Sequence, residues 1–367
     1  MTRSGRLLAG LALAAALAVP PGPPGARADE ALAALEKYSK PVDEAVDKAL
    51  AYLARQQHKD GYWPSGMGRS PAVSALAVMA FLAKGYTPGT GPYGENINRG
   101  IDFVLSCQKP NGLLAQGQDH GPMYSHGIST LMLSEVSGMV DKSRQEKLDK
   151  ALPHAIRLIL SAQEITKPPP HQGGWRYQPH SRDSDISLTG WSLMSLRSAR
   201  NNGVQVPKKA IEGAVGFVLR CRTPKPAAQA GRRQRPPGVG FAYQPGGAPG
   251  LARTGTAVLC LELSGQHRSK ESLEGGDYIL AHLPRTYGES YFYYGLYYCA
   301  QGMFQLGGSY WEQFAPHMYE MMLKFQRPDG SWPQGSSGEA AAGTCYSTAM
   351  GVLAMSVSYR QLPIYQR

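Results

Sequence analysis

The sequence predicts an all-α fold in which six inner and six outer helices close into a ring. Three observations support this prediction. A helix–turn–helix unit recurs along most of the 367 residues, alternating strand-type patterns are scarce, and the first and last units are no more polar than the middle ones. An open superhelix of such units needs polar caps at its two ends, whereas a closed ring has no ends. The uncapped pattern therefore favours the ring.

Composition excludes several other classes of protein. Hydrophobic residues are 42% and charged residues 18% of the chain, which excludes bulk disorder and a collagen-like fibre. The 43 Gly and 28 Pro are typical of many short elements joined by turns. Five Cys are too few for a disulfide scaffold, and their odd number predicts a free thiol unless a bridge joins two molecules.

The first 28 residues predict a cleaved signal peptide. Arg3 and Arg6 precede an uncharged apolar run over 7–19, and Ala26-Arg27-Ala28 forms a small-x-small cleavage site. An uncleaved anchor is the alternative, although the run is short for a membrane span. Cleavage near Ala28 predicts a periplasmic or extracellular protein without a transmembrane span. It removes three Arg and no acid, which lowers the net charge from +11 to +8.

The rest of the chain is predicted to form one domain. Residues 29–39 are an N-terminal extension, 40–360 the repeat domain and 361–367 a C-terminal tail. A basic Pro/Gly-rich loop at 222–237 interrupts the repeats. Because no aromatic residue there can stack on a base, a solvated surface loop is favoured over a polyanion-binding patch. Export also argues against nucleic acid as a partner.

Five segments share one order of residues: the end of an apolar helix, usually a Gln, and then a Gly turn that often carries an aromatic residue. The turn aromatic can cover the exposed end of the helix pair. In chain order, these helix ends and turns are Leu53-Ala-Arg-Gln56 with Gly61-Tyr-Trp63, Leu105-Ser-Cys-Gln108 with Asn111-Gly112, Leu160-Ser-Ala-Gln163 with Gly173-Gly-Trp175, Leu219-Arg-Cys-Arg222 with Gly238-Val-Gly-Phe241, and Leu323-Lys-Phe-Gln326 with Gly330-Ser-Trp332.

A sixth unit is degenerate and runs from Tyr278 through Tyr287-Gly288. After each of the six turns comes a second helical stretch with small residues on one side, which lets neighbouring helices pack closely. Each unit is therefore a helix, a Gly-aromatic turn and a second helix. The turn aromatics predicted to have a structural role are Trp63, Trp175, Phe241 and Trp332.

At these turns the chain resembles the prenyltransferase and squalene-oxidase repeat family, the α/α toroid of terpene cyclases and protein prenyltransferase β subunits. The resemblance covers about residues 40–360, and the Gln-x(n)-Gly-x-Trp turns are specific as a series. The chain looks most like the short, exported bacterial members. The resemblance implies a central cavity that is lined by the N-termini of the inner helices and often holds an isoprenoid.

The acid motif of the cyclases is incomplete in this chain. Squalene–hopene-type cyclases protonate a double bond with the middle acid of Asp-x-Asp-Asp followed by Thr. The similar stretch is Asp183-Ser-Asp185-Ile-Ser-Leu-Thr189, and alignment on its Thr places Ser187 at the proton donor. A shift of two residues places Asp185 there, but Ile186 follows where an acid is needed. Asp183 and Asp185 are therefore candidates both for acid catalysis and for capping the inner helix.

The zinc motif of the prenyltransferases is also incomplete. Gly343-Thr-Cys345 resembles its Asp-x-Cys pair, but a Gly stands at the Asp position and no His follows Cys345. Zinc normally takes three or four protein ligands. Neither a metal nor another cofactor is predicted.

Several residues near the starts of inner helices are candidates to line the cavity. The His among them could face a ligand or be a hydrogen-bonded structural residue. The Tyr rings could stabilise a carbocation by cation–π attraction or pack in the core. The cavity candidates are His126, Thr189, Thr254, Tyr294 and Tyr346.

The residues support two functional hypotheses. In the first, the protein is an exported terpene-cyclase-like or prenyltransferase-like toroid that binds a hydrophobic ligand such as an isoprenoid near Asp185 and Asp183. In the second, it is a non-catalytic envelope scaffold that binds protein partners at the ends of the ring. A toroidal glycosidase would need two inward carboxylates at a defined separation, and the chain has few acids near its inner-helix starts.

Overall fold

A computed structural model describes residues 24–66, 68–116, 121–224 and 238–366. Most of the predicted signal peptide and most of the predicted basic loop lie outside these residues, and the predicted extension 29–39 is part of the first helix. The described residues contain a two-stranded antiparallel sheet, β1 (Pro64–Ser65) with β2 (Gly68–Arg69), and twelve α-helices. The helices are α1 Pro24–Gln56, α2 Pro71–Ala83, α3 Gly94–Ser106, α4 Pro122–Val136, α5 Lys142–Glu164, α6 Ile186–Asn201, α7 Lys208–Arg220, α8 Leu251–Leu263, α9 Lys270–Ala281, α10 Phe292–Leu306, α11 Gly308–Phe325 and α12 Gly343–Met355.

The even-numbered helices form a closed inner ring. Each of them packs against the next even-numbered helix, and α12 packs against α2. The odd-numbered helices lie outside, and α1 contacts both α11 and α12, so the last helix pair is joined to the first. The prediction of six inner and six outer helices is therefore confirmed.

Sequence patterning decides which helices lie inside. Twelve of the thirteen residues of α2 are buried, as expected for a helix that is apolar on all sides. In α3 the apolar residues Ile97, Ile101 and Val104 recur at helical spacing and form one buried face, which suits an outer position. Within the described part of the chain, no helix combines the length and the apolar character needed to cross a bilayer.

The tryptophans of the turns join each turn to the preceding outer helix. All three indoles are at most 1% exposed. Each indole N–H donates to a backbone carbonyl, with donor–acceptor distances of 2.7 Å from Trp63 to Leu53, 2.7 Å from Trp175 to Ile159 and 2.8 Å from Trp332 to Met322. A buried Trp usually finds such a partner, so each ring contributes both apolar area and a hydrogen bond.

A glutamine in four of the units joins one repeat to the next. Its Nε2 donates to the carbonyl of the turn glycine and to a carbonyl of the next outer helix, as Gln163 does to Gly173 and Ala210. In the first unit this residue is Gln57, not the predicted Gln56, because Gln57 has the four-residue spacing to the turn glycine that Gln108 and Gln326 also have.

Ring closure depends on the last of these turns. Gln326 donates to the carbonyl of Ala45 in α1 at 2.7 Å. Gly330, in the same turn, has a φ of +93°, and a Cβ there would lie 2.2 Å from the carbonyl oxygen of Lys48 in α1. Glycine is needed for both reasons, the left-handed backbone and the close approach. The last unit of the chain is therefore joined to α1 in the same way as the other Gln-bearing units are joined to their neighbours.

Candidate functional site

Polar and aromatic side chains gather where the inner helices α4, α6, α10 and α12 begin. They come from these helix starts, from the turns before α6 and α8, and from a 3-10 turn, Ser337–Ala342, before α12. We call this group the mouth cluster. Its members are Tyr124, Arg176, Tyr177, Asp183, Asp185, Tyr243, Tyr294, Glu339 and Tyr346.

Asp185 is the most deeply buried acid of the cluster. It is the N-cap of α6, where one carboxylate oxygen accepts the N–H of Leu188 at 2.9 Å and the other accepts Nη1 of Arg176 at 3.1 Å. Burial raises the pKa of Asp185 to about 6, although the Leu188 N–H and the Arg176 guanidinium both act to lower it. At pH 7 the group is therefore largely ionised and paired.

Arg176 connects the two acids that the sequence singles out. Its Nε lies 3.2 Å from a carboxylate oxygen of Asp183, which also accepts from Gln244 at 3.3 Å. The Asp183 side chain is 45% exposed while that of Asp185 is fully buried, so Asp183 is the carboxylate that faces solvent. The guanidinium carbon lies 4.4 Å from the ring centre of Tyr177 and 5.3 Å from that of Tyr243, within cation–π range.

Half-buried phenol rings surround this ion pair. The hydroxyls of Tyr177 and Tyr243 are hydrogen-bonded to each other, and the Tyr124 ring lies 5.9 Å from that of Tyr177. The Tyr294 hydroxyl lies 3.3 Å from Oγ1 of Thr256 in α8. Burial raises the pKa of four tyrosines of the cluster, Tyr124, Tyr243, Tyr294 and Tyr346. The hydroxyls are therefore neutral donors and acceptors at physiological pH.

Glu339 holds the start of α10. It accepts the backbone N–H groups of Tyr293 at 3.2 Å and Tyr294 at 2.7 Å, and the hydroxyl of Tyr346 at 3.3 Å. Burial raises the pKa of this carboxyl. The helix needs the cap because its own N-cap residue, Tyr291, makes no capping hydrogen bond and has a φ of +56°.

Of the site residues predicted from sequence, four belong to the mouth cluster and three do not. Asp183, Asp185, Tyr294 and Tyr346 are in it. The other three accept the backbone N–H of a turn residue, as Ser74 and Thr348 do in the first and last units. These three contacts are Leu114 N to His126 Nδ1 at 3.1 Å, Trp175 N to Thr189 Oγ1 at 3.2 Å, and Phe241 N to Thr254 Oγ1 at 3.0 Å.

Burial keeps His126 neutral, and its two backbone partners determine which ring nitrogen carries the proton. Nδ1 accepts the N–H of Leu114, and Nε2 lies 3.1 Å from the carbonyl of Ala155, so the proton is on Nε2. The side chain is fully buried, and burial lowers its pKa to about 4. A protonated His126 would also carry a proton on Nδ1, and that proton would face the N–H of Leu114. Such a contact disfavours protonation, in agreement with the lowered pKa.

The buried His126 is expected to make the fold sensitive to acid. Because its pKa in the folded protein is below the 6.5 of the unfolded chain, its contribution to stability is lost as the pH falls from 6.5 towards 4. The expected loss is about 2–3 kcal/mol. Urea unfolding at pH 7 and at pH 4.5 gives the difference in the free energy of unfolding between the two pH values. That difference should be smaller by this amount in His126→Asn. It should be unchanged in the control His154→Asn, which replaces an exposed His on α5. Equal differences in both variants would contradict the assignment.

Aromatic rings fill the interior of the ring below the mouth cluster. Trp191 of α6 stacks on Tyr297 of α10, with ring centres 5.6 Å apart, and Tyr298 lies 5.3 Å from the indole. Since α8 separates α6 from α10 in the ring, these side chains meet inside it. Each is at most 1% exposed, so no water-sized space adjoins them. A ligand therefore has access to the mouth cluster rather than to the space beside these rings.

Possible metal-ligating side chains and thiols also occur outside the mouth cluster. Within the described ranges, no three His, Cys, Asp or Glu side chains are close enough to hold a metal ion. All five Cys are buried, and burial raises the pKa of Cys345 to about 12. Burial thus keeps this thiol protonated.

Solved structures of similar fold are mainly glycoside hydrolases. An inactive variant of an alpha-1,6-mannanase from Salegentibacter sp. HEL1_6 matches with a TM-score of 0.59 at 10% identity, over 87% of this chain and 99% of its own. A family 76 glycoside hydrolase (mannosidase), Bt3792 from Bacteroides thetaiotaomicron VPI-5482, matches with a TM-score of 0.55 at 9% identity, over 87% and 99%. The type II terpene cyclase MstE from Scytonema matches with a TM-score of 0.40 at 14% identity, over 88% and 99%.

No protein-family model matches the chain, and no curated protein matches it. The identities to the solved structures are low, so the likeness extends to the fold alone. The chain is an α/α toroid, and the comparisons do not single out the prenyltransferase family.

Proposed function

We propose that the mouth cluster binds a hydroxyl-rich ligand of the saccharide class, in a protein exported after cleavage near Ala28. The observation that carries this proposal is the ion pair of the half-exposed Asp183 carboxylate with the Arg176 guanidinium, which lies among half-buried phenol rings. A sugar has apolar faces that pack on aromatic rings and hydroxyls that bind carboxylates and guanidinium groups. The similar folds of an alpha-1,6-mannanase and a mannosidase support the same class.

The acids of the cluster have different parts in this site. Asp183 accepts hydrogen bonds from ligand hydroxyls because its side chain reaches solvent. Asp185 is fully buried with both oxygens taken, so it acts through Arg176 as a positioning residue. Hydrolysis of a glycoside needs two carboxyl groups at the scissile bond. Release of reducing sugar during incubation would separate hydrolysis from binding.

An apolar ligand such as an isoprenoid, which the sequence resemblance implies, is the second candidate for the same cluster. It is favoured by the other half-buried phenol rings of the cluster, such as Tyr124 and Tyr294, because aromatic faces can stabilise a carbocation. The filled interior would place such a ligand at the mouth cluster rather than at the centre of the ring. A non-catalytic envelope scaffold would have no small ligand there.

Calorimetric titration with a panel of tetrasaccharides that includes alpha-1,6-mannotetraose tests the proposal. Asp183→Asn is expected to weaken saccharide binding about tenfold, through loss of a charge-assisted hydrogen bond. Asp141→Asn is the matched control, because Asp141 is 48% exposed and also paired with an arginine, but lies at the start of α5. Its binding should equal that of the wild type.

Three outcomes would decide against saccharide binding at this cluster. Equal affinities in the two variants would place the saccharide elsewhere. Binding of farnesol without any saccharide binding would favour the second candidate. Failure of both ligand classes, together with a stoichiometric protein partner in native mass spectrometry of the exported chain, would favour the scaffold.

A further inference from the structure

Tyr291, at the start of α10, is the most exposed large apolar residue among the side chains that the structure describes. It is 49% exposed, whereas the next two residues, Phe292 and Tyr293, are at most 4% exposed. Within the described part of the chain, its hydroxyl has no hydrogen-bond partner and its ring stacks on no other ring. The packed core therefore gains little from this side chain.

The backbone of Tyr291 has a conformation that tyrosine rarely adopts. Its φ of +56° and ψ of +42° lie in the left-handed region, which strains a residue with a large side chain and suits Gly or Asn better. The conformation brings no helix cap either, because Glu339 and not Tyr291 accepts N–H groups in the first turn of α10. Strain of this kind, without a gain for the fold, is typical of residues in binding sites.

Two neighbouring segments hold the Tyr291 ring beside the mouth cluster. Oγ of Ser336 donates to the carbonyl of Glu289 at 3.0 Å, which joins the segment before α10 to the segment before α12. The ring lies against Gly338, where a Cβ would be 3.1 Å from Cε1 of Tyr291. Gly338 directly precedes Glu339, a member of the mouth cluster. The half-exposed ring is therefore fixed at the edge of that cluster.

The Asp183 carboxylate lies on the other side of the cluster, before α6. Tyr294 connects the two sides, since its backbone N–H is bound by Glu339 at 2.7 Å and its hydroxyl lies 3.3 Å from Oγ1 of Thr256 in α8. Neighbouring helix axes are about 8–10 Å apart, and α8 separates α6 from α10. A ligand that contacts both Asp183 and Tyr291 therefore has to cross the mouth cluster. A chain of sugar units can do so, whereas a single unit is too short.

We propose that Tyr291 is a stacking platform for a second sugar unit, so that the mouth cluster takes an oligosaccharide in preference to a monosaccharide. The apolar face of a sugar ring packs on an aromatic ring, and a ring that is already fixed loses little conformational freedom when it binds. This inference rests on the saccharide binding proposed above and adds a preference for chain length to it.

Calorimetric titration with alpha-1,6-mannotetraose and with mannose tests the platform. The wild type should bind the tetraose at least about tenfold more tightly than mannose. Tyr291→Asn should weaken tetraose binding about tenfold and mannose binding less than about twofold, because mannose stays at Asp183. Tyr291→Phe should keep the tetraose affinity, since the ring remains. Arg360→Asn is the matched control, because Arg360 also has a positive φ, +52°, but follows α12, and its affinities should equal those of the wild type.

Asp183→Asn separates this inference from the proposed function. It should weaken the binding of the tetraose and of mannose alike, since both sugars use that carboxylate. An unchanged tetraose affinity in Tyr291→Asn, or an equal loss for both sugars, would overturn the stacking role and leave saccharide binding at the mouth cluster intact. A wild type that binds neither sugar would overturn both.

Urea unfolding gives a readout that needs no ligand. Tyr291→Asn should unfold at the same urea concentration as the wild type or at a higher one, because Asn tolerates the left-handed backbone and the exposed ring buries little. A lower urea midpoint in Tyr291→Asn would mean that the ring serves the fold, and would overturn the stacking role.

Discussion

Replacement of Arg176 by Met is expected to destabilise the protein by about 1–2 kcal/mol at pH 7. The reason is the fully buried Asp185, which would lose the partner 3.1 Å away and would have to take up a proton. Burial already raises the pKa of Asp185 to about 6 in the presence of Arg176, and removal of the guanidinium would raise it further. The variant should therefore regain most of the loss when Asp185 is protonated.

The pH dependence distinguishes this mechanism from lost packing. With a folded-state pKa above the unfolded-state value, the Asp185 contribution is favourable below the unfolded-state pKa and is lost as the pH rises through the folded-state pKa. Urea unfolding of Arg176→Met should thus show a much larger loss at pH 7 than at pH 5. Arg144→Met is the control, because Arg144 pairs with half-exposed Asp102 and Asp141 and should lose about 0–1 kcal/mol. Equal losses at both pH values would contradict the buried-charge explanation.

Replacement of Trp175 by Ala is expected to lower the free energy of unfolding by about 3–5 kcal/mol. The indole is 1% exposed, and its N–H satisfies the carbonyl of Ile159 at 2.7 Å, so the variant has both a cavity and an unpaired carbonyl. Urea unfolding measures the loss. Trp175→Phe should lose less, about 1–2 kcal/mol, because most of the buried ring remains while the hydrogen bond and a small part of the ring volume are lost.

The chain itself supports that comparison, since Phe241 occupies the corresponding turn of the fourth unit and is fully buried. Trp311→Ala, which removes a half-buried indole from the outer helix α11, is the matched control and should lose less than Trp175→Ala. A Trp175→Ala loss no larger than that of the control would mean that the turn does not depend on its buried ring.

The closed ring could be predicted because the repeated turns and the character of the end units are both visible in the sequence. In four of the units the Gln lies close in sequence to the Gly of its turn, and the absence of polar end units indicates closure. The prediction of Gln56 for the first unit is wrong by one residue, since Gln56 and Gln57 are adjacent in the sequence. The four-residue spacing to Gly61 and the hydrogen bonds to the Gly61 and Asn96 carbonyls identify Gln57 as the equivalent residue.

The candidate site could be predicted only in part. A Thr or His in the first turns of an inner helix gives the same sequence signal whether its side chain faces the interior or the preceding turn. His126, Thr189 and Thr254 bind the turn. Arg176 and Glu339 carry no motif, and their roles arise from contacts with Asp183, Asp185 and the start of α10.

The packing of aromatic side chains inside the ring could not be predicted from the sequence either. A run of tyrosines in α10 is compatible with either a lined cavity or a packed core. The outcome is set by Trp191 of another helix and by Tyr365, which is 68 residues from its partner Tyr297. Pairings at such separations are decided by the closed ring, and a single sequence does not reveal them.

A crystal structure of the mature chain soaked with the tightest-binding saccharide of the panel tests the central proposal most directly. The proposal predicts a sugar ring among the tyrosines of the mouth cluster, with a hydroxyl within hydrogen-bond distance of the Asp183 carboxylate or the Arg176 guanidinium. Sugar density on an outer face of the ring, or no sugar density at the mouth cluster, would contradict it.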